Sequence, residues 1–156
     1  MNVFLADETA TVALAGRLLD TLPDDLAGWT VLLSGELGAG KSTFARAFIT
    51  GAGHSGPVPS PTYTLVEPYA VPRGNIYHID LYRIADEGEL RYLGWKELDE
   101  GCRLVEWPDR APGLMALADL EITLRYDGDG RRAEVAGRSD RGKTLVSELA
   151  SADSKD

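Results

Sequence analysis

The chain has 156 residues, 44% of them hydrophobic and 26% charged, enough for one domain with a core and too few for two. Its net charge of −9 opposes unaided capture of DNA or RNA, which needs Lys and Arg to displace counterions. No apolar run approaches the roughly 20 residues of a membrane span, the single Cys102 excludes an internal disulfide framework, and two histidines far apart argue against a zinc site.

The first residues, Met1 to Glu8, carry no basic region and no long apolar core, so no signal peptide is read there and a cytoplasmic protein is expected. Val3 to Leu5 reads as a short strand. Asp7, Glu8 and Thr9 offer N-caps for a helix to about Leu22, with Leu14, Leu18 and Leu22 on its buried face. Pro23-Asp24-Asp25 ends it, and Trp29 leads into the apolar strand Thr30 to Leu33. Next comes Gly35-Glu36-Leu37-Gly38-Ala39-Gly40-Lys41-Ser42, which fits G-x-x-x-x-G-K-[ST], the phosphate-binding P-loop. Thr43 opens a helix, with Phe44 and Phe48 one turn apart. Strand, glycine-rich turn and helix are the context that the motif requires. By composition alone such a match in a chain of this length is roughly a 0.5% event.

The residue types suit the chemistry. A triphosphate must be held without bulky side chains in the way, and the glycines let successive backbone N–H groups point at its oxygens. The helix N-terminus adds free N–H groups and partial positive charge. Lys41 is placed to bridge the β and γ phosphates, and the Ser42 hydroxyl to bind Mg²⁺. A nucleotide with Mg²⁺ is therefore expected, ATP or ADP by default because the guanine-reading N-K-x-D pattern is absent, held by Glu36, Leu37, Gly38, Ala39, Gly40, Lys41, Ser42 and Thr43, with Thr62.

Beyond Gly51 to Gly53 a proline-rich loop runs to Pro61. Thr62 to Glu67 reads as a strand and Asn75 to Leu81 as another, with Arg73-Gly74 turning between them in a hairpin. Asp86 to Leu98 has a helical pattern, interrupted at Gly94. Arg103 to Trp107 is the next strand, stopped by Pro108. Asp119 to Tyr126 alternates apolar and polar residues, as a half-buried antiparallel strand does. Asp127 to Gly130 turns it into Ala133-Glu134-Val135, its hairpin partner. A last helix carries Leu145 and Leu149. The expected fold is α/β: a single P-loop NTPase domain over residues 1–150, with a partly parallel sheet extended by antiparallel strands, helices on both faces and a frayed tail from Ser151 to Asp156.

A P-loop NTPase needs an acid near Ser42 to hold Mg²⁺ or its waters, and something to orient the attacking water. Asp80 and Glu106, both at strand ends, qualify; either could ligate the metal directly. Ser60, Thr62 and Thr64 form a hydroxyl cluster where switch NTPases sense the γ-phosphate, or else simple loop caps. Trp107 reads as core or as a partner contact, His54 and His78 as structural, and Cys102 as a buried thiol at a strand start. Arg131, Arg132, Arg138, Arg141 and Lys143 are the one basic concentration, either a solvated face or a docking surface.

Three further stretches, Ser60 to Glu67, Tyr77-His78-Ile79-Asp80-Leu81-Tyr82-Arg83 and Leu104-Val105-Glu106-Trp107-Pro108, together with Gly35 to Thr43, resemble the TsaE (YjeE) family in order and spacing. Glu36 and Ser42 stand where that family usually has Asp and Thr, and Ser keeps the metal-binding hydroxyl. The resemblance implies an ATPase required for N6-threonylcarbamoyladenosine at position 37 of tRNA. It would bind a TsaB–TsaD pair and meet tRNA only through that complex. It also implies Lys41 on phosphate, Ser42 and Glu106 at Mg²⁺, Asp80 as a metal-linked or water-positioning acid, and Glu8 to Thr11 near the nucleotide. Rival readings are a small-molecule kinase, for which Arg83 and Arg91 are the only obvious mid-chain candidates for lid arginines and no lid-sized insertion is present; a GTP switch, whose N-K-x-D pattern is absent; and a nucleotide-dependent adaptor without turnover.

Overall fold

In the computed structural model, which describes residues 1–155, the central strands run parallel because crossovers carry the chain back to the same end of the sheet, an α-helical one over one face and two built of 3₁₀ segments over the other. The elements are β1 (Asn2–Leu5), α1 (Glu8–Thr21), β2 (Thr30–Gly35), α2 (Lys41–Gly51), β3 (Val66–Val71), β4 (Gly74–Asp80), β5 (Cys102–Glu106), β6 (Leu120–Asp127), β7 (Gly130–Gly137) and α3 (Asp140–Asp153). The sheet order is β1-β7-β6-β2-β5-β4-β3. β6, β2, β5 and β4 are mutually parallel; on one side β7 is antiparallel to β6 and β1 to β7, and on the other β3 is antiparallel to β4. The P-loop therefore leaves the sheet between two parallel neighbours, where ligands bind in open α/β sheets.

Alternation along the strands divides the core in two. Val31, Leu33, Leu104 and Ile122 face the three α-helices, whose Leu14, Leu18, Phe44, Phe48 and Leu145 fill that side. Leu32, Ile79 and Val105 face the other way, against short 3₁₀ segments carrying Leu90, Trp95, Leu98 and Leu114. Helical cover lies on both faces, long on one and broken on the other. Asp7 caps α1 by accepting from the Ala10 amide, and Ser139 caps α3 by accepting from Gly142. α2 starts at Gly40 with no side-chain cap, so its first amides are not satisfied by a side chain.

Several expectations are corrected. The strand read from Thr62 begins at Val66, because Leu65 adopts a left-handed φ of 69° and its amide closes a turn onto the Pro61 carbonyl. Asp86 to Leu98 is not one helix but two 3₁₀ segments, Glu87–Leu93 and Glu97–Glu100, parted by left-handed Gly94. The strand read to Trp107 stops at Glu106, since Trp107 has φ 58°. β6 is antiparallel only to β7 and parallel to β2, and Glu121 on its polar face is buried under Arg138 and the Ser34 hydroxyl. Residues 151–153 of the expected tail belong to α3, where Asp153 pairs with Arg17; Asp156 lies outside the described residues. No helix of the described residues is long and apolar enough to cross a membrane.

Candidate nucleotide site

The P-loop turns sharply at the end of β2. A Cβ on Gly35 would stand 2.4 Å from the Leu124 carbonyl oxygen, so backbone meets backbone there and only glycine fits. Outside the loop, the Tyr126 hydroxyl donates to the Leu37 carbonyl at 2.8 Å, and Arg131 donates to the Gly38 carbonyl at 3.2 Å while stacking over the Tyr126 ring at 4.3 Å. In a planar trans peptide the N–H points opposite its C=O. Holding the Leu37 carbonyl outward therefore turns the Gly38 N–H inward, as an anion cradle needs.

Lys41 is buried, and its ammonium donates to the Gly35 and Glu36 carbonyls at 2.5 and 2.9 Å. It also lies 4.0 Å from the centre of the Trp107 ring. Burial pulls its pKa below the ordinary lysine value, while Glu106, Asp80 and Asp109 pull it upward.

Asp80 and Glu106 are the last residues of parallel neighbours and are paired in register. Both are buried, at 3% and 2% exposure. Glu106 Oε1 accepts the Ser42 hydroxyl at 3.1 Å, and its Oε2 lies 2.5 Å from His78 Nε2. Asp80 Oδ1 accepts the Tyr82 amide at 2.9 Å and Oδ2 the Thr62 hydroxyl at 3.2 Å, with Ser60 Oγ a further 2.7 Å from Thr62. Lys41, Ser42, Thr62, Asp80, Glu106 and Trp107 line one cleft of about 220 Å³. Its donors are carboxylates and hydroxyls, a hard oxygen set that suits Mg²⁺, an ion that takes one or two carboxylates plus substrate phosphates. Asp80, Glu106 and the Ser42 and Thr62 hydroxyls are the residues that could hold it.

A second recess of about 190 Å³ lies across the P-loop, where Asp7, Glu8 and Thr11 face Gly38, Gly40 and Thr43. The chain near Glu8 to Thr11 thus shares a cavity wall with the loop. Glu36 and Leu37 are exposed at the loop tip and Ala39 is buried beneath it. The structure brings together Lys41, Ser42, Thr62, Asp80 and Glu106. It leaves Thr64 exposed and outside the hydroxyl chain, and places Arg83 and Arg91 over the exposed rings of Tyr63 and Tyr92.

The basic concentration is dispersed: Arg132 pairs with Asp127, Arg138 with Glu121 and Arg141 with Asp119, and only Arg131 reaches the P-loop. Trp107 is half-buried, stacked between Lys41 and Tyr82. Cys102 is fully buried, its pKa pushed up to about 12 chiefly by that burial, which leaves no nucleophilic thiolate. The sequence reading missed His78 and Tyr126 as parts of the site. For His78 a signal existed: it stands two residues before Asp80, hence on the same face of the same strand.

The chain is similar to known proteins in sequence and in fold. The family model described as "Threonylcarbamoyl adenosine biosynthesis protein TsaE" matches residues 5–134. The Haemophilus influenzae tRNA threonylcarbamoyladenosine biosynthesis protein TsaE is 42% identical over 120 residues, covering 75% of this chain and 75% of the relative. The Bacillus subtilis protein of the same name is 36% identical over 105 residues, covering 67% and 66%. The crystal structure of Bacillus subtilis YdiB superposes with a TM-score of 0.77 at 27% identity, over 98% of this chain and 95% of that one.

Proposed function

The chain belongs to the TsaE family, and from that premise we propose that it binds Mg²⁺–ATP and Mg²⁺–ADP in the P-loop cleft and hydrolyses ATP to ADP and phosphate in support of tRNA threonylcarbamoyladenosine formation. The observation that carries the reading is the meeting of Lys41 and Ser42 with two strand-end carboxylates, Asp80 and Glu106, in one cleft. Lys41 would leave the Gly35 and Glu36 carbonyls for phosphate oxygens, which replace weak partners with full negative charge. The P-loop amides and the uncapped start of α2 would hold the phosphate chain. Mg²⁺, when bound, would supply neutralisation of the phosphate charge. Ser42 and Glu106 are placed to hold it, and Asp80 with Thr62 to ligate it or to orient a water.

The described residues form one sheet with its helical cover, all of it built around the P-loop cleft. We assign the protein's action to a partner complex, TsaB with TsaD, reached in the cytoplasm, with tRNA met only through that complex. The test is calorimetry and turnover. Lys41→Ala should lose tight ATP binding while keeping its fold, and turnover should rise when TsaB, TsaD and tRNA are added. Unchanged ATP affinity in a folded Lys41→Ala protein would overturn the site. Binding without turnover under every condition would leave an adaptor, and brisk phosphorylation of a metabolite would favour a kinase.

A further inference from the structure

His78 lies beneath the cleft, 1% exposed, and its imidazole Nε2 is 2.5 Å from Glu106 Oε2. Its register partner on β5 is Leu104, two residues before Glu106, so the ring stands below the carboxylate on the same face of the sheet. The other Glu106 oxygen receives the Ser42 hydroxyl. The carboxylate is thus held at both ends: one oxygen toward the sheet, one toward the P-loop.

We propose that His78 is a positioning residue: by donating Nε2–H to one Glu106 oxygen it holds the other toward Ser42 and the divalent cation of a bound nucleotide. This rests on the reading of the cleft as a Mg²⁺–nucleotide site. His78 Nδ1 is buried with no partner. A carboxylate oxygen accepts, so the Nε2 that faces Glu106 Oε2 carries the hydrogen of this contact. Without the donor, a nearly buried carboxylate would swing its Oε2 toward other donors and unseat Oε1 from Ser42. The imidazole is too deeply buried to meet a substrate, so it acts only through Glu106. Outer partners of metal-binding carboxylates commonly change metal affinity by about 10–100-fold.

The experiment is ADP binding by calorimetry with and without Mg²⁺, together with Mn²⁺ binding in the presence of ADP by electron paramagnetic resonance. The proteins are the wild type, His78→Phe, His78→Leu and His78→Gln. The donor-free Phe and Leu variants should bind metal-free ADP within about twofold of wild type, yet lose about 10-fold or more of the metal's contribution. His78→Gln, which still offers an N–H at similar reach, should recover most of it. A folded donor-free variant with the wild-type metal response overturns the proposal. So does equal loss of ADP affinity with and without metal, which marks a purely structural role. Wild-type protein whose ADP binding ignores divalent cations overturns the cleft reading and this inference with it.

Discussion

At the start of β6, Asp119 accepts from the Thr30 amide at 3.0 Å, the Ser139 hydroxyl at 2.7 Å and two Arg141 nitrogens at 2.9 Å each. At the far end of the same parallel strands, Glu106 accepts only a serine hydroxyl and an imidazole, and Asp80 a threonine hydroxyl and one amide. All three carboxylates are nearly buried. The first is saturated by fixed donors and an arginine that itself stacks on Trp29 at 4.2 Å. The other two face neutral hydroxyls, which a cation can replace or share. Under the proposed function, the buried charge that serves the fold is held by permanent partners, and the charge that would serve a ligand is left with exchangeable ones. Strain sorts the same way. Among the described residues, the two non-glycine residues with positive φ are Leu65 and Trp107, one feeding its carbonyl to the Asp80 amide and the other directly after Glu106. Such conformations cost about 1–3 kcal/mol each and gather where function over-determines the backbone.

The largest expected effect lies at the saturated end. Asp119→Ala strips the buried Thr30 amide of its side-chain acceptor and half-exposed Arg141 of its ion-pair partner, and should cost about 3 kcal/mol. The variant should still bind ATP normally once folded. Burial alone would raise the Asp119 pKa, but hydrogen bonds from Arg141, Ser139 and Thr30 outweigh it and hold the pKa below its usual 3.8. A depressed carboxylate stabilises the fold fully above its unfolded value, and that stability is lost as pH falls through the folded pKa. Denaturant melts from neutral to strongly acid pH should therefore show a shallower acid limb in the variant than in wild type. An acid limb as steep as wild type would show that Asp119 is not the group responsible.

Glu106→Gln probes the opposite end. It keeps the shape and an acceptor for Ser42 but halves the cleft's carboxylates. Turnover should fall by about 100-fold, a barrier rise near 2.7 kcal/mol, while stability changes by less than about 1 kcal/mol. If thermal melts of this variant fell as far as those of Asp119→Ala, the two ends would not differ in kind.

How much of this was readable in the chain follows from the range of each contact. The P-loop was legible because its glycines, Lys41 and Ser42 are contiguous and the chemistry dictates their spacing. Asp80 and Glu106 were legible singly, as acids at strand ends. Their convergence on Ser42 from two strands was expected from metal chemistry, but their direct register pairing was not, since it depends on the parallel pairing of β4 with β5, which no local pattern encodes. Thr62 to Leu65 was misread because a β-branched and aromatic run favours a strand. The turn at Leu65 instead delivers the Thr62 hydroxyl to Asp80. The arginines after Arg131 looked like a patch because their acids lie elsewhere in sequence: Asp119, Glu121 and Asp127 come from β6 and its approach. Asp119 itself carried no signal beyond its place before an alternating strand.

The smallest effect concerns the boundary between the two regimes, the β6–β7 hairpin that braces the P-loop. Tyr126 is half exposed, and its hydroxyl makes one hydrogen bond, to the Leu37 carbonyl. Tyr126→Phe keeps the ring on which Arg131 stacks and removes only that bond. A neutral, partly solvated hydrogen bond contributes about 1 kcal/mol or less, so global stability should hardly move. The bond's second consequence is local. It fixes the Leu37–Gly38 peptide plane, and with it the direction of the Gly38 N–H. When that plane is free to rotate, part of the population presents a carbonyl to the phosphate, and apparent affinity falls by the fraction that is competent. ATP affinity should drop roughly 3–5-fold at unchanged melting temperature, equivalent to about 1 kcal/mol or less. Equal affinity in Tyr126→Phe and wild type would mean that the glycines and Lys41 set the loop unaided, and that the hairpin belongs with Asp119 on the structural side.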